Sequence, residues 1–178
     1  MKIGIDISQT GFENTGVGNY LSSLVTSLLN SDKQNEYVLF FSSMRRLPAL
    51  RIMEVVRNHP NVKLKIFKVP PTVLNFMWNT LHILPIENFI GKIDMFITSD
   101  WTEPPTKYAR KATIIYDLVV YKYPEETHAK IVSTHKKKLG WVVKESDLIF
   151  TISQSTKKDV EEILGISESK IKVIYPGA

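Results

Sequence analysis

The sequence predicts an α/β domain with a parallel sheet of about seven strands and helices on both faces. Two observations carry that expectation. Short β-branched or aromatic runs recur along the chain, and several are apolar on both faces, as strands buried in a parallel sheet are. Longer stretches with one apolar face at helical spacing lie between them. Strands alternating with helices imply βαβ units with right-handed crossovers. The length of 178 residues suits one domain. A content of 43% hydrophobic and 23% charged residues is that of an ordinary globular chain and argues against wholesale disorder.

The elements follow in order. The first strand is Lys2–Ile7, and a loop then leads to Gly16 and Gly18, which open a helix. In that helix Tyr20, Leu21, Leu24, Val25, Leu28 and Leu29 repeat at three and four residues and make one apolar face. Tyr37–Phe41 and Val62–Phe67 read as the second and third strands. Residues 68–92 break the rhythm with Pro70, Pro71 and Pro85, and a helix is expected there from Thr72 to Leu84. Met95–Thr98 is the fourth strand, and residues 99–110, with Pro104 and Pro105, read as an irregular connection. Thr113–Tyr116 is the fifth strand. Ile131, Val132, His135, Leu139, Val142 and Val143 mark a long helix. Leu148–Ile152 is the sixth strand, and Val160, Ile163 and Leu164 mark a shorter helix that Gly165 ends. Lys172–Tyr175 is the seventh strand. The sequence has no internal repeat.

Several classes of function are excluded. With no cysteine, disulfides, thiol nucleophiles and Cys-ligated metals are ruled out. No apolar run approaches the length of an ordinary membrane-spanning helix. The opening MKIGIDISQ has no apolar signal region, so the cytoplasm is the expected location. His59, His82, His128 and His135 are scattered without metal-ligand spacing, so neither metal nor cofactor is expected. No Ser-His-Asp order with a nucleophile elbow is present.

In open parallel sheets, ligands bind beyond the carboxyl ends of the strands, which narrows the search to four loops. In the first, Gly16, Val17 and Gly18 begin a helix, where backbone N–H groups and the positive helix end can meet a phosphate. The alternative is a tight turn only, and the pattern is neither a dinucleotide fingerprint nor a P-loop. The second loop reads Ser99-Asp100-Trp101. A carboxylate beside an indole suits a sugar, which offers hydroxyls and an apolar face. A capping aspartate with a packed tryptophan explains the same residues. The third carries Tyr116-Asp117 at a strand end, where Asp117 can accept a ligand's proton or hydrogen bond, or cap the following turn. In the fourth, Ser153 reads first as an N-cap, and the same helix start can bind an anion. Asp6, inside the first strand, reads as a buried, hydrogen-bonded carboxylate.

The net charge is +5, yet the stretch from Lys107 to Lys144 alone carries nine basic residues against three acids. Lys136-Lys137-Lys138 sits within it. A solvated helix face explains such a run, and so does attraction to an anionic membrane surface.

Four separated segments resemble the N-terminal half of group 1 (family 4) glycosyltransferases with the GT-B fold. They are KIGIDIS, the loop ending TGVGNYL, ATIIYDLVVYKYP, and the tail from SDLIFTISQSTKKD to YPGA. They occur in the family's order and span nearly the whole chain. The resemblance implies a Rossmann-like N-terminal, acceptor-side domain over residues 1–175, with 176–178 beginning an interdomain linker. The donor-binding C-terminal domain, with its Glu-x7-Glu motif, lies outside this chain, which is then an isolated domain, a fragment or half of a split gene.

Retaining transfer from a nucleotide-sugar donor to a glycan or lipid-linked acceptor is the implied chemistry, in surface polysaccharide biosynthesis. The implied location is cytoplasmic, peripheral on the inner membrane face. Gly16, Val17 and Gly18 match the loop that approaches the donor diphosphate. Asp117 matches the aspartate of the family's His-Asp-Leu segment. Tyr116 departs from the pattern, because many relatives have histidine there facing the donor sugar. A tyrosine can hydrogen-bond but cannot act as a base near neutral pH. Ser99, Asp100, Trp101 and Ser153 fall where the acceptor is expected, and no metal is required. A noncatalytic Rossmann-like module that binds a glycan or a protein partner is the competing reading. A nucleic-acid partner is not expected, since no helix-turn-helix or RNA-binding motif is present.

Overall fold

A computed structural model describes residues 1–99 and 101–177. Seven strands form one parallel sheet: β1 (Lys2–Asp6), β2 (Glu36–Ser42), β3 (Val62–Phe67), β4 (Met95–Thr98), β5 (Arg110–Ile115), β6 (Leu148–Thr151) and β7 (Ile171–Val173). Their order is β3-β2-β1-β4-β5-β6-β7, and every neighbouring pair is parallel. The predicted Rossmann-like α/β class is the observed one. The chain runs outward from β1 to β3 and then crosses to β4 on the other side of β1. The crevice above β1 and β4 is therefore the switch point where ligands gather in such sheets.

Alternation along the strands sorts the core. Ile5, Leu39, Phe41 and Ile114 face one side, against Leu21, Val25 and Leu29 of α1 (Gly16–Ser31) and Ile52 and Val55 of α2 (Leu50–Asn58). The opposite face holds two clusters. Val38, Phe40 and Phe96 pack with Trp78, Ile86 and Ile90. Ile115, Ile149 and Ile171 pack with Leu139 and Val142 of α6 (Ala129–Glu145) and Val160 of α7 (Gln154–Leu164). Among the described residues no helix is long and apolar enough to cross a membrane.

Two helical expectations need correction. The helix expected over Thr72–Leu84 is one α turn, α3 (Pro71–Leu74), that widens into a π-helix over Asn75–Thr80. Pro71 starts it at a position where the missing N–H is harmless. It cannot reach Leu84, because His82 and Leu84 have left-handed backbones with φ of 53° and 60°. The second is an omission: α2 was not among the expected helices, although its Ile52, Val55 and Val56 stand at helical spacing. Two further single turns, α4 (Glu87–Ile90) and α5 (Val119–Lys122), complete the set. Gly165 ends α7 as expected, with φ of 66°.

Candidate functional site

Three adjoining hollows lie along the carboxyl edge of the sheet. The first, about 460 Å³, is lined by Asp6 and Ser8 after β1, Phe12 and Val17 at the start of α1, and Trp101. The second, about 300 Å³, shares Val17 and adds Tyr116, Asp117, His135 and Lys138. The third, about 250 Å³, shares Trp101 with the first and Ile131 with the second, and adds Thr72 and Lys130.

Asp6 is 5% exposed and accepts a 2.9 Å hydrogen bond from Ser8 N–H. Burial pushes its carboxyl above the usual range, against the pull of the Ser8 hydrogen bonds and the nearby Lys138. The expected buried carboxylate is thus correct, but it also lines the largest of the three hollows. A buried acid with a perturbed pKa in a cleft marks a candidate functional group. The sequence signal that could have found it is its position at the end of the central strand.

The glycine loop divides its duties. Thr15 caps α1, its Oγ1 accepting from Gly18 N–H at 3.1 Å. Gly18 is therefore committed to the fold, whereas Gly16 is exposed, with nothing within 4 Å of where a Cβ would stand. Val17 is the residue that the first two hollows share.

Tyr116 is buried, with its ring edge-on to Tyr20 at 5.7 Å, and Tyr20 Oη donates to the Ile174 carbonyl at 2.9 Å. Asp117 is exposed, and its Oδ1 accepts from Val119 N–H at 3.1 Å. It thus holds the first N–H of α5, one residue outside the helix's N-cap Leu118, while bordering the second hollow. Ser153 caps α7, accepting from Thr156 N–H at 3.1 Å, and does not line these hollows. Thr156 Oγ1 in turn donates to the Tyr116 carbonyl at 3.1 Å, which ties this cap to the site. Ser99 is 1% exposed and its carbonyl accepts from the Lys138 ammonium. Trp101 is half-buried and lies edge-on to His135 with 4.9 Å between ring centroids. Asp100 lies outside the described residues. The structure therefore brings Val17, Trp101, Tyr116 and Asp117 to these adjoining hollows, whereas Gly16, next to Val17 in the chain, lines none of them, and neither do Ser99 and Ser153.

His135 and Lys138 were not singled out from the sequence, where one is an apolar-face residue and the other one of three lysines. The three consecutive lysines do not form one patch. Lys138 is 2% exposed, Lys136 lies over the Tyr121 ring and Lys137 reaches Thr80.

A buried ion network braces the Trp101 loop from behind. Lys111 Nζ lies 2.9 Å from Glu103 Oε1 and 2.8 Å from Glu145 Oε2. Glu103 Oε2 accepts from Thr98 Oγ1 at 2.6 Å, and Glu103 N–H donates to Asn79 Oδ1 at 2.9 Å. Asn79 also donates to the Trp101 carbonyl at 2.8 Å. His82 completes the set, 2.8 Å from Glu145 Oε1 and stacked on Trp141 at 3.6 Å.

No protein-family model matches the chain, and no curated protein sequence matches it. Among solved structures, a short-chain dehydrogenase from Oenococcus oeni PSU-1 aligns over 99% of this chain and 80% of its own, with 11% identity and a TM-score of 0.37. A likeness that loose carries no argument about this chain's chemistry.

Proposed function

We propose that the chain is the acceptor-side domain of a retaining glycosyltransferase that moves a sugar from a nucleotide-sugar donor to a glycan or lipid-linked acceptor in surface polysaccharide biosynthesis. The observation that supports this reading is the junction of two hollows at Val17, with Asp6 and Trp101 on one side and Tyr116 and Asp117 on the other. A carboxylate and an indole on one hollow suit a sugar's hydroxyls and apolar face. The start of α1 stands between the hollows, where a leaving diphosphate would meet a positive helix end.

In this reading the acceptor rests against Trp101 and Asp6. The donor's bond to its diphosphate breaks as the acceptor hydroxyl oxygen bonds the same face of the sugar, and the hydroxyl proton passes to the leaving diphosphate. Tyr116 and Asp117 border the donor sugar, and Gly16 lets the diphosphate approach. A second domain supplies most of the donor contacts, so the chain alone binds nucleotide sugars weakly and turns over little.

The test is a transfer assay on the complete gene product, with UDP- and GDP-sugars and lipid-linked acceptors. It is run beside a saccharide titration of the Trp101 indole by NMR. The expected result is transfer that falls on the order of 10²-fold in Gly16→Val, as when one oxyanion-binding contact is lost, and that is lowered in Asp117→Ala. Undiminished turnover in both variants would remove these residues from the reaction. Saccharide binding at Trp101 with no transfer from any donor would establish a noncatalytic glycan-binding module instead.

A further inference from the structure

We propose that the 72–84 segment and the Lys130–Lys137–Lys144 stripe of α6 form one face that docks on an anionic lipid bilayer. The apolar half is unusual in its concentration. Val73, Phe76, Leu81, Ile83 and Leu84 are each between 42% and 56% exposed, within twelve residues of chain. Singly exposed apolar side chains are ordinary, but a contiguous set marks an interaction surface. Left-handed backbones at His82 and Leu84 end the helical segment here, and Leu81, Ile83 and Leu84 are exposed in the turn. No acid occurs between Glu54 and Glu87.

The basic half comes from helical spacing. Lys130, Lys137 and Lys144 are seven apart, so they share one face of α6 with a drift of only about 20° per step. That face lies along the apolar segment. Lys130 borders a hollow with Thr72 and Asn75, and Lys137 Nζ donates to Thr80 Oγ1 at 3.2 Å. Lys144 Nζ lies 4.7 Å from the centre of the Trp141 ring on which His82 stacks. Glu145, the acid at this edge, is committed to Lys111 and His82. Apolar side chains that enter the acyl boundary, flanked by lysines at headgroup level, match an anionic bilayer. The mainly aliphatic character of the segment fits acyl chains better than stacked bases.

The inference deepens the proposed function. The hollow between Thr72 and Lys130 also touches Trp101, so an acceptor anchored in that bilayer would reach the cleft from this side. Vesicle binding is read with no nucleotide sugar present and therefore stands apart from the transfer reaction.

The experiment is flotation of the chain with phosphatidylcholine vesicles, with and without phosphatidylglycerol. Binding is expected to the anionic vesicles, weakened by salt. It is expected to fall by about 5-fold for each of Lys130→Gln, Lys137→Gln and Lys144→Gln. A Phe76→Trp variant, which keeps the lysines, should shift its fluorescence to the blue on those vesicles and be quenched by brominated lipid. Equal binding to neutral vesicles, or lysine variants that bind like wild type, would overturn the proposal. A dimer that Phe76→Ser abolishes, without vesicle binding, would assign the face to a second copy. Retention on single-stranded RNA in place of vesicles would assign it to nucleic acid.

Discussion

Gly18 stands against the backbone of Phe12 so closely that a Cβ at position 18 would lie 2.4 Å from the Phe12 carbonyl oxygen and 2.9 Å from that of Gln9. Both obstacles are main chain and cannot rotate away. Gly16, two residues earlier, has nothing within 4 Å of the same construction. Gly18→Ala is therefore expected to cost about 1–3 kcal/mol, the usual cost of overpacking, whereas Gly16→Ala should change stability by less than about 0.5 kcal/mol. Urea denaturation of the two variants checks the contrast. Equal effects would mean that the loop adjusts and that the close approach to Phe12 is not what selects glycine.

Lys111 and Glu103 are an ion pair removed from solvent, their side chains 3% and 0% exposed. Removing the cation alone leaves a buried carboxylate. Lys111→Met is expected to cost about 3–5 kcal/mol, and a Lys111→Met, Glu103→Leu double variant should recover most of it. Equilibrium denaturation of both variants reads this directly. A single variant within about 1 kcal/mol of wild type would show that Glu103 escapes its burial by other means.

Two carboxyls pull the acid dependence of stability in opposite directions. Burial pushes Glu145 up, but Lys111 and His82 outweigh it and hold its carboxyl below the ordinary value of 4.5. Its contribution is present above that ordinary value and is lost as pH falls through the lower folded one. Asp6 is raised above its ordinary 3.8 by burial. Its contribution is greatest below that value and is lost as pH rises through the folded pKa, so the ionised carboxylate is a net cost at neutral pH. Denaturation midpoints measured from acid to neutral pH should thus show a flatter acid limb in Glu145→Gln. Asp6→Asn should be more stable than wild type at neutral pH. A less stable Asp6→Asn would mean that the Ser8 contacts outweigh the burial.

Leu84 holds a φ of 60°, and its carbonyl accepts from Trp78 Nε1–H at 3.0 Å. A left-handed backbone costs a non-glycine residue roughly 1–2 kcal/mol. Glycine removes that cost at an entropic loss of roughly 0.5–1 kcal/mol. Leu84→Gly should match or exceed wild-type stability by up to about 1 kcal/mol, while binding anionic vesicles less well. Thermal unfolding read beside the flotation assay separates the two effects. A clear loss of stability would show that the Leu84 side chain is needed for packing.

Much of the architecture was legible from local pattern. The β-branched runs became the seven strands, each within a few residues of its expected limits. The period of Leu21, Val25 and Leu29 marked the buried face of α1, and Gly165 marked the end of α7. These features depend on local backbone geometry and on apolar side chains needing one shared face, and both are written in spacing. The cleft was legible as a set of strand ends, because every parallel strand delivers its following loop to the same edge. The π-helical turn was not, since nothing in NFMWNT separates a widened helix from an ordinary one.

By itself, then, the sequence determined the class of fold, most of its elements and the edge on which the candidate site lies. Only the tertiary structure decided which neighbours those residues meet. Among Lys136, Lys137 and Lys138 the sequence offers three equivalent charges. The packing of α6 buries Lys138 beneath the Ser99 carbonyl and aligns Lys137 with Lys130 and Lys144 along the exposed 72–84 segment. Asp6 likewise became a cleft residue only when β4 came to lie beside β1 and brought the Trp101 loop over it. Helical and strand periods are set by near neighbours along the chain. Burial of a charge and the closing of a cleft are set by contacts between distant residues, 39 positions apart for Lys138 and Ser99 and further still for Asp6 and Trp101, which no local pattern records.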